Sequence, residues 1–190
     1  GAATELGHYH LEDTAVQNIT LQPTNAAFVP GTVSQTGGET RFSWSRKFDL
    51  ADGSAAMSPV GKTSILCGIG ATNEFKHHKY ANVAEVTLAY DYSTVVSSPD
   101  MPQVTLSWSI DDTTKLVSFE AVAQTVAWVG IGVSDNGMMI GDKHVSGAAI
   151  ARPGFTTELG FYHLDATATA NITLQPATPA FVAGSVSQSG

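Results

Sequence analysis

Apolar and polar residues alternate through much of this chain, and helical spacing is almost absent. Val104-Thr105-Leu106-Ser107-Trp108-Ser109-Ile110 sets large apolar side chains on one face and small hydroxyls on the other, the period of a half-buried strand. Thr40–Phe48 alternates in the same way around Phe42 and Trp44. The same reading predicts strands over Lys115–Ala123, Thr125–Val133, His144–Ala151, Leu159–Leu164, Asn171–Leu174, Lys62–Ile69 and Val83–Tyr90. Asp111-Asp112 and Ser134-Asp135-Asn136-Gly137 separate these runs with residues that favour turns. Short strands at this spacing predict an all-β fold, an antiparallel β-sandwich of immunoglobulin-like kind.

The ends of the chain share a sequence. Residues 1–37 return at 154–190 without a gap, an offset of 153 (154 − 1), with 24 of the 37 positions identical. Such a pattern marks a window cut from a tandem array. Residues 1–96 then read as the C-terminal part of one module and residues 103–190 as the N-terminal part of the next. The Pro-containing stretch 97–102 is expected to be the linker between them. Laid end to end, 103–190 followed by 38–96 makes one module. A part-module exposes sheet edges, so neighbouring modules or copies are the expected partners, in a tandem array or a homo-polymer. One permuted module over 38–190 is the other solution, with residues 1–37 competing against their own copy. Donation of the surplus segment to an adjacent molecule would build a filament, because head-to-tail contacts that do not close propagate.

Composition narrows the function. The formal net charge is −8 and only 14% of residues are charged. No basic stripe exists to neutralise phosphates, which argues against a nucleic-acid partner. No apolar run is long enough for a membrane-spanning helix. The one cysteine, Cys67, lies in an apolar run and reads as a buried small hydrophobe, so no disulfide within the chain and no thiolate metal site is expected. Asn18-Ile19-Thr20 and Asn171-Ile172-Thr173 are sequons at equivalent places in the two copies, making Asn18 and Asn171 candidate glycosylation sites. They favour an extracellular or cell-surface location. The chain has no Gly-x-Ser-x-Gly elbow, no His-Glu-x-x-His and no phosphate loop, so no enzymatic activity is expected.

Four segments, in module order, carry a family likeness. They are Trp128–Asp142 (WVGIGVSDNGMMIGD), Thr40–Phe48 (TRFSWSRKF), Ile65–Gly70 (ILCGIG) and the histidine stretch Phe75–Tyr80 (FKHHKY). Together they resemble the DOMON family, β-sandwich domains of secreted and cell-surface redox proteins. The resemblance implies a b-type haem held between a methionine after the glycine-rich turn and a histidine near the end of the domain. It implies Met139 as one iron ligand, because Met139 directly precedes Ile140-Gly141. Met138 and Met139 point to opposite faces of a strand or tight turn, so at most one ligates. His78 is preferred over His77 by counting back from the last strand. Trp128, Ile131, Phe75 and Trp44 are expected to line the pocket.

Each of these residues also has a plainer reading. A methionine after a turn commonly fills a core gap, and paired histidines on a loop are commonly solvated. His10 and His163 occupy equivalent places and read as strand residues in structural roles. His144 reads as exposed, and His8 is replaced by Phe161 in the second copy. Asp135, Asn136 and Asp142 have the composition of a calcium site, but turn chemistry already accounts for them. The leading expectation is an extracellular haem b electron-transfer module in an array, with a redox partner that the sequence does not identify. The alternative is a haem-free structural or adhesive β-sandwich repeat, one that binds carbohydrate among its options.

Overall fold

Two adjacent glycines begin the architecture. Gly37 and Gly38 have φ of 61° and 85°, the left-handed pair that a two-residue hairpin turn requires. They join β2 (Phe28–Thr36) to β3 (Glu39–Lys47), with Thr36 opposite Glu39. The computed structural model describes residues 19–22, 28–51, 54–74, 78–138, 146–155 and 158–164. Its other strands are β1 (Ile19–Gln22), β4 (Thr63–Ile69), β5 (Tyr80–Val86), β6 (Ser93–Ser98), β7 (Met101–Asp111), β8 (Leu116–Ala123), β9 (Val129–Ser134), β10 (Ser146–Ala151) and β11 (Leu159–Leu164). A single helical turn, α1 (Leu88–Asp91), lies between β5 and β6.

The strands form two antiparallel sheets. One has six strands in the order β1-β11-β10-β9-β4-β5, and the other five in the order β2-β3-β8-β7-β6. The chain is therefore an all-β antiparallel sandwich. It crosses between sheets after β1, β3, β5 and β8.

Alternation decides what faces inward. From β3, Phe42, Trp44 and Arg46 are buried, while Arg41 and Lys47 are exposed. Trp44 stacks between Phe42 and Phe119, with ring centroids 5.2 and 5.0 Å away. Phe28 of one sheet meets Phe161 of the other at 5.0 Å. Fully burying side chains of this size contributes about 1.5–3 kcal/mol each, and aromatic pairs add about 0.5–1.5 kcal/mol beyond area. The space left between the sheets beside Trp44, Ile131 and Phe161 is about 10 Å³, room for roughly one water.

Several expectations need correction. The stretch 97–102, read as a linker, is the β6–β7 hairpin, with Ser98 opposite Met101. Residues on both sides of it contribute to both sheets, so no structural break falls there. Val83–Tyr90 was expected as one strand, but pairing spans Tyr80–Val86 and the backbone then turns through α1. Thr125–Trp128 crosses between sheets before β9 begins. Strands β2 and β6 carry no counterpart among the expected elements. Residues 171–174 lie outside the described residues, although β1 is formed by the same sequence in the first copy.

Candidate functional site

The outer face of the six-stranded sheet is unusual because two of its neighbouring strands carry glycines at alternate positions. In β4, Cys67 and Ile69 face the core, which leaves Leu66 and Gly68 outside. In β9, Val129, Ile131 and Val133 face the core, which leaves Gly130 and Gly132 outside. Gly68 pairs directly with Gly130, and Leu66 with Gly132. The outcome is a smooth strip without side chains, bordered by Leu66.

Trp128 lies on this strip. A Cβ built on Gly68 would meet its ring at 3.6 Å, one on Gly130 at 3.5 Å, and one on Gly70 at 2.1 Å. Its backbone is tied down as well: Gly70 N–H donates to Trp128 O at 3.0 Å, and Trp128 N–H donates to Thr72 O at 3.0 Å. Trp128 is 5% exposed, and Ile150, Ala148 and Tyr162, which also lie outside the inter-sheet core, are equally buried. Around Trp128, Ala148, Ile150 and Tyr162 this sheet is thus apolar and shielded on its outer face as well, whereas its β5 edge exposes Val83 and the Lys62–Glu85 pair.

His78 joins the same face. Its Cβ lies 3.7 Å from the position of a Cβ on Gly68, and the residue is half-buried just before β5. Backbone pairing brings it there, since Lys79 N–H donates to Ile69 O at 2.7 Å. The Met138 turn sits further along. Met138 N–H donates to Asn136 Oδ1 at 2.9 Å, and the Ser134 hydroxyl donates to Met138 O at 2.6 Å. A Cβ on Gly137 would lie 3.7 Å from Val83 and 3.8 Å from Ser64 Oγ. Ser64 and Gly68 are four residues apart in β4, which separates the two groups by about 13 Å along one face.

Met138 is 60% exposed and fills no core gap, and His78 is half-buried. Met139, His77, Phe75 and Asp142 lie outside the described residues, as do Asn18, Asn171, His8, His10 and His144. His163 is in β11, opposite Gly147. The expected pocket lining does not hold together. Trp44 and Ile131 face the narrow space between the sheets, whereas Trp128 is on the other side of the six-stranded sheet. Trp128 stands just before β9, and its ring lies against Gly68 and Gly130, on the face opposite the one from which Ile131 enters the core.

Cys67 sits under the glycine strip with its thiol inward, and burial pushes its pKa up to about 12. Such a thiol is inert at neutral pH. Among the described residues no three His, Cys, Asp or Glu side chains converge as a metal site, and Asn136 Oδ1 is engaged within its own turn. No helix among them is long and apolar enough to cross a membrane. The alternating glycines were the signal that sequence reasoning missed: Gly68-Ile69-Gly70 and Gly130-Ile131-Gly132 are the same pattern on adjacent strands. Comparison with protein-family models, curated proteins and solved structures finds no match.

Proposed function

We propose that this chain is a b-type haem electron-transfer module of the DOMON kind, working outside the cell in a tandem or filamentous array. The observation that carries the reading is the placement of a histidine and a methionine turn on one face of one sheet. His78 lies at Gly68 and the Met138 turn at Ser64, with Leu66 between them. The residues fit the group in their donor chemistry, an imidazole and a thioether turn on one largely apolar face; the strip of Gly68 and Gly130 is itself taken by the Trp128 ring, which would wall the site. The space between the sheets beside Trp44, Ile131 and Phe161 is about 10 Å³, too small for a porphyrin.

In this reading His78 and one of Met138 and Met139 hold the iron, with Met139 preferred on the family pattern. Trp128 and Leu66 exclude water from the site. Methionine and histidine together raise the reduction potential of a bound haem and leave no open position for oxygen, which suits electron passage over substrate chemistry. Asn136 and Ser134 position the methionine turn through its backbone.

The test is a visible absorption spectrum of the full chain mixed with haemin and then reduced. A sharp Soret band and an α-band are expected, and both are lost in His78→Ala and Met139→Ala. A chain with an intact β-sheet circular dichroism spectrum that leaves the spectrum of free haemin unchanged would end the proposal. What then remains is a haem-free structural or adhesive repeat. For that reading the supporting feature is the hydroxyl-bearing outer face of the five-stranded sheet, where Ser45 and Ser118 Oγ lie 2.8 Å apart.

A further inference from the structure

One side of the sandwich is closed by a segment that the chain carries twice. β1 is the edge strand of the six-stranded sheet and β2 the edge strand of the five-stranded sheet. Both belong to the first copy of the repeat, yet β1 pairs with β11, which belongs to the second copy, Ile19 opposite Leu164. We propose that the slot filled by residues 19–36 is equally a docking site for residues 172–189 of the same chain, so that the sandwich has two interchangeable closures.

The slot's requirements are all met by the second copy. Beside β11, Ile172-Thr173-Leu174-Gln175 repeats Ile19-Thr20-Leu21-Gln22 without change. Beside β3, the two side chains of β2 that enter the core are Phe28 and Val33, 2% and 4% exposed; the copy supplies Phe181 and Val186. At Gly31 a Cβ would lie 2.4 Å from Ser43 Oγ and 2.6 Å from its carbonyl oxygen, and the copy keeps Gly184 there. Gln35 donates to Thr40 Oγ1 at 2.7 Å and exchanges hydrogen bonds with Asn73; the copy has Gln188. The substitutions fall where the slot is tolerant. Ala183 replaces Pro30 at a register irregularity, and Ser185 retains the hydroxyl that Thr32 places 3.2 Å from Ser43 Oγ.

Both copies reach the slot through short tethers. Only residues 165–171 separate Leu164 from Ile172, and only residues 23–27 separate β1 from β2, whose Phe28 already meets Phe161 of β11. Connections of such similar length differ little in closure entropy. The resident copy adds the Gly37-Gly38 turn that holds β2 against β3 in a hairpin. Docking of 172–189 releases 19–36 with Phe28 and Val33 exposed. This inference stands independently of the haem.

Disulfide trapping tests it. Ser34 and Arg41 are direct cross-strand partners on the outer face, at a spacing that a disulfide spans; Ser187 is the equivalent of Ser34. The S34C/R41C pair locks the closure seen here and serves as the folding control. The R41C/S187C pair is expected to form an intramolecular disulfide in a measurable fraction of monomers, read by non-reducing gel and mass spectrometry. Absence of that link while the control links fully would overturn the proposal. A link found only between chains would overturn it too, and would make a second copy the donor. On the unmodified chain, brief chymotrypsin treatment is expected to yield some resistant core cut at Phe28 and protected at Phe181. A core that always retains Phe28 and always loses the second copy would count against exchange.

Discussion

Gly70→Ala is expected to destabilise the fold, while Gly68→Ala, two residues earlier on the same face, is not. At Gly70 the new Cβ would lie 2.1 Å from Trp128 Nε1, 2.3 Å from Cδ1 and 2.8 Å from Cε2. The ring has to move, and it has little room to do so. It is 5% exposed, it lies over Gly68 and Gly130, and the hydrogen bond from Gly70 N–H to its own carbonyl pins the backbone. Overpacking of this kind costs about 1–3 kcal/mol. At Gly68 the nearest atoms stand at 3.6–3.7 Å, ordinary contact, and replacing a strand glycine recovers about 0.5–1 kcal/mol of backbone entropy.

The two variants should therefore differ by about 1.5–4 kcal/mol in opposite directions from the parent. Urea unfolding followed by far-ultraviolet circular dichroism measures this, and a thermal scan of Gly70→Ala should show a Tm lower by about 2–12 °C for a chain of this size. A double-mutant cycle isolates the cause. In a Trp128→Ala background the penalty of Gly70→Ala should largely vanish, because its three nearest contacts all belong to the indole. Equal effects of the two glycine variants would refute the reasoning. So would a Gly70→Ala cost that survives removal of the indole.

Two further outcomes follow from the titrating groups. Asp111 closes the β7–β8 turn; a hydrogen bond from the Thr114 side chain, joined by the N–H groups of Thr113 and Thr114, holds its carboxyl below the usual range. The stabilisation it brings is present above the unfolded carboxyl pKa and lost as pH falls through the folded one, so a carbon-detected NMR titration should place its midpoint below an unperturbed aspartate, and a midpoint at or above that value would contradict the geometry. Cys67, with its thiol pushed up to about 12 by burial, should resist Ellman's reagent at pH 8 in the folded chain and react fully in urea; fast reaction in the folded state would mean that the inter-sheet space opens readily.

How far the sequence reveals this molecule depends on what each face of a strand has to do. The strands β3, β7 and β8 are plain in the pattern because one face packs on aromatic core and the other meets water. β2 escapes notice because Pro30 and Gly31 read as a turn, whereas an edge strand accommodates both at a bulge. β6 escapes because Val96 is its one buried residue among exposed and half-buried ones. The candidate site is hidden for a related reason. Glycines at alternate positions resemble turn formers, yet Gly68-Ile69-Gly70 and Gly130-Ile131-Gly132 lie mostly within paired strands. There the missing side chains define a surface: the isoleucines fill the core, and the bare side receives Trp128 and His78. What parity alone does not supply is which strands are neighbours, and it is the pairing of Gly68 with Gly130 that turns two local irregularities into one continuous flat strip.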